Sequence, residues 1–342
     1  MTSIDLFAGA GGLSCGLTAE GFDVISAVEI DPVSAKSYSL NHPHTEVVVD
    51  DIRNLTGPQL LKRAGIATGE LDLLTGCPPC QGFSTLRTKR ITKSSEDPRN
   101  ELIFEILRLV RSIRPRAVLM ENVPGLAKNY RFANFCAGLK KAGYSFDYAI
   151  LNASSFGVPQ RRRRLVLIAF RGQQVPKNWS DNRHFSEKHV RDAIAHLELS
   201  AGSSGDQLHD IPEKRTPAMM ARIKATPKDG GSRRDLPEDM QCKCHLGKEG
   251  YFDVYGRMAW DQVSPTITSG CINPSKGRFL HPTADRAITL REAALLQTFP
   301  EAYQFCIERG KDHVARQIGN AFPPNLIKPI AKVISHELIS KK

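Results

Sequence analysis

The chain has 342 residues, of which 24% are charged and 41% hydrophobic, the composition of a folded globular protein rather than a disordered or fibrous one. No apolar run approaches the roughly 18 residues that span a bilayer, and the opening MTSIDLFAGAGG lacks the basic-then-apolar layout of a signal peptide. A cytoplasmic protein with no membrane partner is therefore expected. Eight cysteines in such a chain read as reduced thiols, not as a disulfide framework. The net charge of +11 is unevenly spread: residues 1–100 hold 9 Lys and Arg against 12 Asp and Glu, so the remainder carries +14. That split points to a small-molecule site in front and a polyanion surface behind. A basic protein with no such partner is the plainer alternative.

Along the first 170 residues, short apolar runs alternate with helical stretches. Strands are predicted at 3–7, 24–30, 46–51, 71–75, 117–122 and 165–170. The clearest helix is 101–113, ELIFEILRLVRSI, where Leu102, Ile103, Ile106, Leu107 and Val110 recur with helical spacing. This alternation predicts an α/β fold built on a mostly parallel, doubly wound sheet. Ligands of such sheets sit beyond the carboxyl ends of the strands. From residue 172 to 285 the texture changes to Gly, Pro, Ser and charge, as in SAGSSGDQ and KDGGSRRD. A separate loop-rich region with short strands, such as 263–268, is expected there. Helical pattern returns in LREAALLQTF and LIKPIAKVISHELI.

Phe7-Ala8-Gly9-Ala10-Gly11-Gly12 follows the first predicted strand and opens a helix. Glycines there let a ligand approach the backbone, and F-x-G-x-G is not the G-x-G-x-x-G of dinucleotide binding. The second strand ends in Glu29-Ile30, where a carboxylate can accept both hydroxyls of a ribose. The third ends in Asp50-Asp51-Ile52, within reach of an exocyclic amine and an adenine face. Ribose and adenine contacts without a phosphate cradle point to a nucleoside cofactor, which S-adenosylmethionine fits. A tight strand-to-helix turn with no ligand is the alternative.

Cys77-Pro78-Pro79-Cys80 can be a redox pair, half of a metal site, or one catalytic thiol beside a bystander. A second ligand pair for a metal is poorly supplied by Cys242-Lys243-Cys244-His245, whose spacing is unusual, so no metal site is assigned. The spacing alone leaves the three readings open. Glu121-Asn122-Val123 ends a strand, Gln160-Arg161-Arg162-Arg163-Arg164 leads into another, and Arg291-Glu292-Ala293 and Gln317-Ile318-Gly319-Asn320 stand near the end. Taken singly, an acid at a strand end or a run of arginines is unremarkable.

In this order, behind DLFAGAGG and with PCQGFS, these motifs strongly resemble the DNA (cytosine-5)-methyltransferases of the bacterial and phage restriction-modification type. The similarity runs over 4–171 and 287–330. The resemblance implies a Rossmann-like, S-adenosylmethionine-dependent methyltransferase sheet with a second, smaller, loop-rich target-recognition domain. It divides the chain into a catalytic and cofactor-binding domain at 1–171, target recognition at 172–286, and a return segment at 287–342. It implies methyl transfer from S-adenosylmethionine to carbon 5 of a cytosine flipped out of a specific short duplex. Cys80 is then the nucleophile that adds to carbon 6 and Cys77 is not, while Glu121 protonates or hydrogen-bonds ring nitrogen 3. Arg162 and Arg164 become the active-site arginines, with Arg161 and Arg163 facing elsewhere along an extended segment.

Cofactor contacts fall by the same resemblance to Phe7, Gly9, Gly11, Gly12, Glu29, Ile30, Asp51, Ile52, Pro79 and Asn320. Ile30 stands where many relatives carry an aromatic residue, so apolar packing of the adenine is expected in place of stacking. DNA contacts fall to Gln81, Ser84, Arg87, Lys89, Arg90 and Lys93 in the segment after the nucleophile, and to Gln160 and Thr266. The expected partner is duplex DNA, bound by a monomer. The sequence leaves open whether a cognate restriction endonuclease, acting separately, accompanies it. An RNA cytosine-5 methyltransferase of the same fold and a non-catalytic DNA-binding relative are the rival readings. The lack of a recognisable RNA module opposes the first, and intact Cys80, Glu121, Arg162 and Arg164 oppose the second.

Overall fold

The computed structural model describes residues 1–79, 97–181, 185–197, 202–241 and 252–340. In chain order its regular elements are β1 (Thr2–Leu6), α1 (Gly12–Ala19), β2 (Asp23–Glu29), α2 (Pro32–Asn41), β3 (Glu46–Val49), α3 (Gly57–Ala64), β4 (Leu73–Gly76), α4 (Ile103–Ile113), β5 (Ala117–Asn122), α5 (Tyr130–Lys141), β6 (Tyr144–Asn152), β7 (Arg163–Arg171), α6 (Val190–Ile194), α7 (Pro217–Ala225), α8 (Leu290–Leu296), α9 (Lys311–Asn320) and α10 (Pro324–Ile339). They fall into two compact units. The first comprises Met1–Asn152, Arg163–Phe185 and Phe322–Lys342; the second comprises Ala153–Arg162 and Ser186–Ala321.

The first unit is a seven-stranded sheet in the order β3-β2-β1-β4-β5-β7-β6. β1 pairs in parallel with both β2 and β4, β2 with β3, and β4 with β5. Only β7 breaks the pattern, running antiparallel to both β5 and β6. The sheet is therefore mostly parallel and doubly wound, as predicted. Its central strands are buried on both faces, which removes the alternation of a half-exposed strand; β5, AVLMEN, opens on a continuous apolar run and has every residue buried. Side chains of β1, β4 and β5 share one core cluster with Ile103, Ile106, Leu107 and Val110 of α4 and Phe132, Phe135 and Leu139 of α5.

Local signals set the helix ends. Asp31 accepts from the backbone N–H groups of Val33 and Ser34 at the start of α2, with Pro32 as its first residue. Thr56 and Gln59 form a capping box at α3, which Gly65 closes in the left-handed conformation. The predicted helix at 101–113 becomes a 3-10 turn over Pro98–Leu102 followed by α4. β6 was not predicted: it is an edge strand whose burial is partial, so its sequence YSFDYAILN carries no continuous apolar run. The strand predicted at 263–268 is not formed. Ser264 makes one isolated bridge to Gln160, and Pro265 has no N–H with which to continue a ladder.

The second unit holds α6 to α9 with long irregular connections. Boundaries expected at 171/172 and 286/287 differ from the division by packing, which falls at 185/186 and 321/322 and joins 153–162 to the second unit. The reason is that Arg161 donates its backbone N–H to Ser264, and α8 packs on α6 and α9.

Within the first unit α1 lies against α10, and Gly16 makes the approach possible. A Cβ there would stand 2.7 Å from the Pro324 carbonyl oxygen and 2.7 Å from Ile327 side-chain atoms. Gly16→Ala is expected to destabilise the protein by about 1–3 kcal/mol through overpacking against backbone that cannot yield. An unchanged urea midpoint would show that α10 gives way freely.

Candidate active site

The parallel register brings the ends of β2, β1, β4 and β5 to one edge of the first unit's sheet. After β1 the backbone turns sharply: Phe7 has φ 58°, Gly9 56° and Gly11 90°. Glycine adopts this region freely, whereas Phe7 is a side-chain-bearing residue held there, a form of strain that collects at functional loops. Glu29, at the end of β2, braces the loop. One of its carboxylate oxygens accepts from the Gly9 N–H at 2.8 Å and the other from the Asp31 N–H at 2.9 Å. Burial pushes the Glu29 carboxyl above its ordinary value, against the pull of these N–H groups.

The residues predicted to contact the cofactor are only partly alike in exposure. Ile30 is 63% exposed beside Glu29, leaving an apolar face open at the strand end. Asp51 caps a short turn and accepts from the Arg53 side chain, which holds its carboxyl below the usual range. Ile52 departs from expectation: its side chain lies in the core cluster with Val48, Leu55 and Leu60, so only its backbone is left for a ligand. Gly12 is the buried first residue of α1. A nucleoside fits this donor set. The space at Gly9 where a Cβ would stand is open, and each Glu29 oxygen has lone-pair capacity beyond the one N–H it accepts.

At the next two strand ends stand Cys77 and Glu121. Gly76 is in register with Met120, so one step further Cys77 lies beside Glu121. The Asn122 amide donates to the Pro78 carbonyl at 3.0 Å, tying the two chains together past the last backbone pair. Glu121 is buried, and from β7 the Arg164 Nε approaches its Oε1 at 2.8 Å. Burial together with the Glu121 and Asp5 charges pushes the Cys77 thiol well above its ordinary value. Cys77 is thus kept neutral and is a poor nucleophile. Pro79 ends this described stretch. Cys80, Gln81, Ser84, Arg87, Lys89, Arg90 and Lys93 lie outside the described residues, as do Cys242, Cys244 and His245. Among the described residues no cluster of His, Cys, Asp and Glu could hold a metal ion, and no helix is long and apolar enough to cross a membrane.

The remaining predicted residues belong to the second unit. Arg162 is 1% exposed, and its guanidinium donates to the carbonyls of Ile267 at 2.9 Å, Gly319 at 3.0 Å and Ala321 at 2.8 Å. Gln160, expected at the DNA, is fully buried instead: its amide donates to Leu296 and Gln297 and accepts from the Ile267 N–H. Its side chain binds the protein's own backbone and has no surface to offer a nucleic acid. Thr266 donates its hydroxyl to the Arg161 carbonyl. Asn320 is the exposed last residue of α9.

A network beneath the glycine loop was not anticipated. Asp5, buried in β1, accepts from Ser14 Oγ at 2.6 Å and Thr75 Oγ1 at 3.0 Å, and Ser14 in turn accepts from the Tyr38 hydroxyl at 2.7 Å. The available signal was a single carboxylate between Ile4 and Leu6 in the strand TSIDL.

The family model of the C-5 cytosine-specific DNA methylases matches residues 1–336. The Type II methylase M.HgiDII of Herpetosiphon aurantiacus is 39% identical, over 98% of this chain and 95% of that protein. The Type II methyltransferase M1.HphI of Haemophilus parahaemolyticus is 32% identical, over 98% and 86%. Among solved structures, a DNA modification methyltransferase encoded within an Escherichia coli prophage superimposes with a TM-score of 0.73 at 25% identity, covering 99% of each chain. The Dnmt2 methyltransferase of S. pombe, at 19% identity and a TM-score of 0.63 over 100% of this chain and 99% of that one, shares the fold.

Burial raises the Asp5 carboxyl from 3.8 to about 6, with the Ser14 and Thr75 hydroxyls opposing. The folded protein therefore holds this proton more tightly than the unfolded chain. The stability this contributes is fully present below about pH 4 and is lost as pH rises through about 6, a change on the order of 3 kcal/mol. Asp5→Asn should remove that loss. Urea unfolding is expected to show the variant gaining on the wild type between those pH values; a pH-independent difference would rule out titration of Asp5.

Proposed function

The chain belongs to the C-5 cytosine-specific DNA methylases, and from that membership we propose that it methylates a cytosine rotated out of a specific short duplex, through a covalent Cys80 adduct at carbon 6. Its activity as a DNA cytosine-5 methyltransferase of the Type II restriction-modification kind follows from the family and its relatives. The observation that carries the finer reading is Glu121. A buried carboxylate at a strand end is held by Arg164, with Cys77 and Pro78 secured beside it. Cys80 follows three residues after Cys77.

S-adenosylmethionine supplies an electrophilic methyl group when bound. Glu29, the loop over Phe7, Gly9, Gly11 and Gly12, Ile30 and Asp51 would hold its nucleoside, and Pro79 completes the contacts proposed within the first unit. Carbon 5 of cytosine is too weak a nucleophile to take that methyl unaided. The Cys80 thiolate forms a bond to carbon 6 and pushes an electron pair onto carbon 5. Glu121 hydrogen-bonds or protonates nitrogen 3, so negative charge does not accumulate on the ring. Once carbon 5 is methylated, its proton passes to solvent, the C–H electron pair re-forms the double bond to carbon 6, and the carbon–sulfur bond breaks to return the Cys80 thiolate. Arg164 keeps the Glu121 carboxylate at its strand end. Arg162 contributes through the backbone it secures, a positioning role.

A stacked cytosine exposes neither face to a thiol, so rotation out of the duplex, costing roughly a few kcal/mol, precedes addition. The basic residues Arg87, Lys89, Arg90 and Lys93 would contact phosphates as that happens. Reading of the site is assigned to residues 172–286, where Thr266 lies. An endonuclease acting separately on the same site is the partner that a Type II enzyme implies.

Cys80→Ser should abolish methyl transfer to duplex DNA and trapping on a 5-fluorocytosine duplex, while Cys77→Ser keeps much of both. Equal loss in the two variants would count against a single nucleophile. Glu29→Ala should weaken S-adenosylmethionine binding by about 1–3 kcal/mol, the value of a buried hydrogen bond to a charged group. DNA affinity without cofactor should not change, and calorimetry reading the same cofactor affinity as wild type would remove Glu29 from the site.

A further inference from the structure

Cys77 is used by no step of the chemistry above, yet it sits where the chemistry depends on geometry. β4 and β5 end together, with Thr75 opposite Leu119 and Gly76 opposite Met120. Residues in register on neighbouring parallel strands project to the same face, so Cys77 and Glu121 share one. The backbone of Cys77 is fixed by its own N–H, which donates to the Leu6 carbonyl at 3.3 Å. The next residue is fixed by Asn122, through its bond to the Pro78 carbonyl at 3.0 Å. On the far side of Glu121, β7 runs antiparallel with Asn122 opposite Leu165, which delivers Arg164 to the carboxylate at 2.8 Å. Glu121 is therefore flanked by strands on both sides: a guanidinium reaches it from one, and Cys77 follows the last paired residue of the other.

We propose that Cys77 is a positioning residue that holds the Glu121 carboxylate from the β4 side, opposite Arg164, and so orients it toward the ring nitrogen of the target base. The inference rests on the proposed role of Glu121. The choice of residue follows from charge. A second cation beside Arg164 would oppose any step in which Glu121 takes up a proton, and a second acid would repel it. A neutral donor avoids both, and a thiol is a weak one, so it directs the carboxylate without monopolising it. Burial and the Asp5 and Glu121 charges keep the Cys77 proton in place, which makes the thiol a lasting donor and keeps it from competing with Cys80.

The test compares Cys77→Ala, which removes the donor, with Cys77→Ser, which keeps one of similar size. Full-length variants are assayed for methyl transfer to duplex DNA with both substrates varied, alongside thermal unfolding and calorimetric binding of S-adenosylmethionine. Cys77→Ala is expected to lower kcat by roughly three- to tenfold, the loss of one modest hydrogen bond in the reacting complex. KM for DNA, cofactor affinity and unfolding midpoint should be unchanged, and Cys77→Ser should recover most of the rate. A Cys77→Ala enzyme with wild-type kcat would overturn the proposal. So would a Cys77→Ser enzyme as slow as Cys77→Ala, or a fall in kcat matched by a lowered unfolding midpoint and weakened cofactor binding, which would mark Cys77 as core packing. A Glu121→Gln enzyme with wild-type activity would instead refute the role of Glu121 itself, and that outcome is distinguishable because it does not involve Cys77.

Discussion

A carboxylate at the end of a strand that is buried on both faces is the constraint around which the first unit is arranged. Glu121 cannot sit there as an isolated charge, because removal from water costs several kcal/mol unless a partner compensates. Arg164 is that partner, and it can reach Glu121 only because β7 enters the sheet antiparallel beside β5. A parallel strand in that place would put its carboxyl end, and not its first residues, at the edge where Glu121 lies. The single reversal of direction in the sheet is thus tied to the ion pair between Glu121 and Arg164. The same edge holds Glu29, braced by the Gly9 and Asp31 N–H groups, so glycine loop and acid are fixed by one set of strand ends.

Much of this frame was legible because parallel strands buried on both faces write themselves as apolar runs. β5 as predicted, 117–122, coincides with the strand observed, and the other predicted strands of the sheet differ from it by a few residues at their ends. β6 was invisible for the converse reason: at an edge it is half exposed, so no run marks it. The glycine loop and Glu29 were legible as a spacing. Asp5 was not, although its carboxylate is the most deeply set of the acids there, because its partners Ser14 and Thr75 are separated from it by 9 and 70 residues, and hydroxyls carry no pattern in a sequence.

The arginines show most clearly what a sequence withholds. Gln160 to Arg164 read as one basic segment, yet its members do three different things. Arg164 pairs with an acid, Arg162 binds backbone carbonyls 105 to 159 residues away, and Gln160 ties Ile267 to α8. Nothing in the local sequence distinguishes a guanidinium bound for a carboxylate from one bound for carbonyls. Motif order singles out positions; only the fold says by what contact each is held.

That distinction changes the meaning of the net charge. The second unit has few regular elements, so many of its backbone carbonyls have no helix or sheet partner, and buried carbonyls must be satisfied somehow. Arginine side chains do it. Arg257, fully buried, donates to the carbonyls of Ile223, Thr226, His281 and Ala284 and pairs with Asp285. Arg278 donates to Gly230, Gly231 and the Arg257 carbonyl, and Arg215 to Ile272. A guanidinium offers five donors in a rigid fork, which suits it to gather loops that no strand ladder joins. Part of the positive balance after residue 100 is therefore internal scaffolding, and the charge available to a polyanion is smaller than the composition implies. The loop-rich texture and the arginine content of this unit are one fact: irregular backbone, buried without secondary structure, needs multivalent donors, and arginine is the side chain that supplies them.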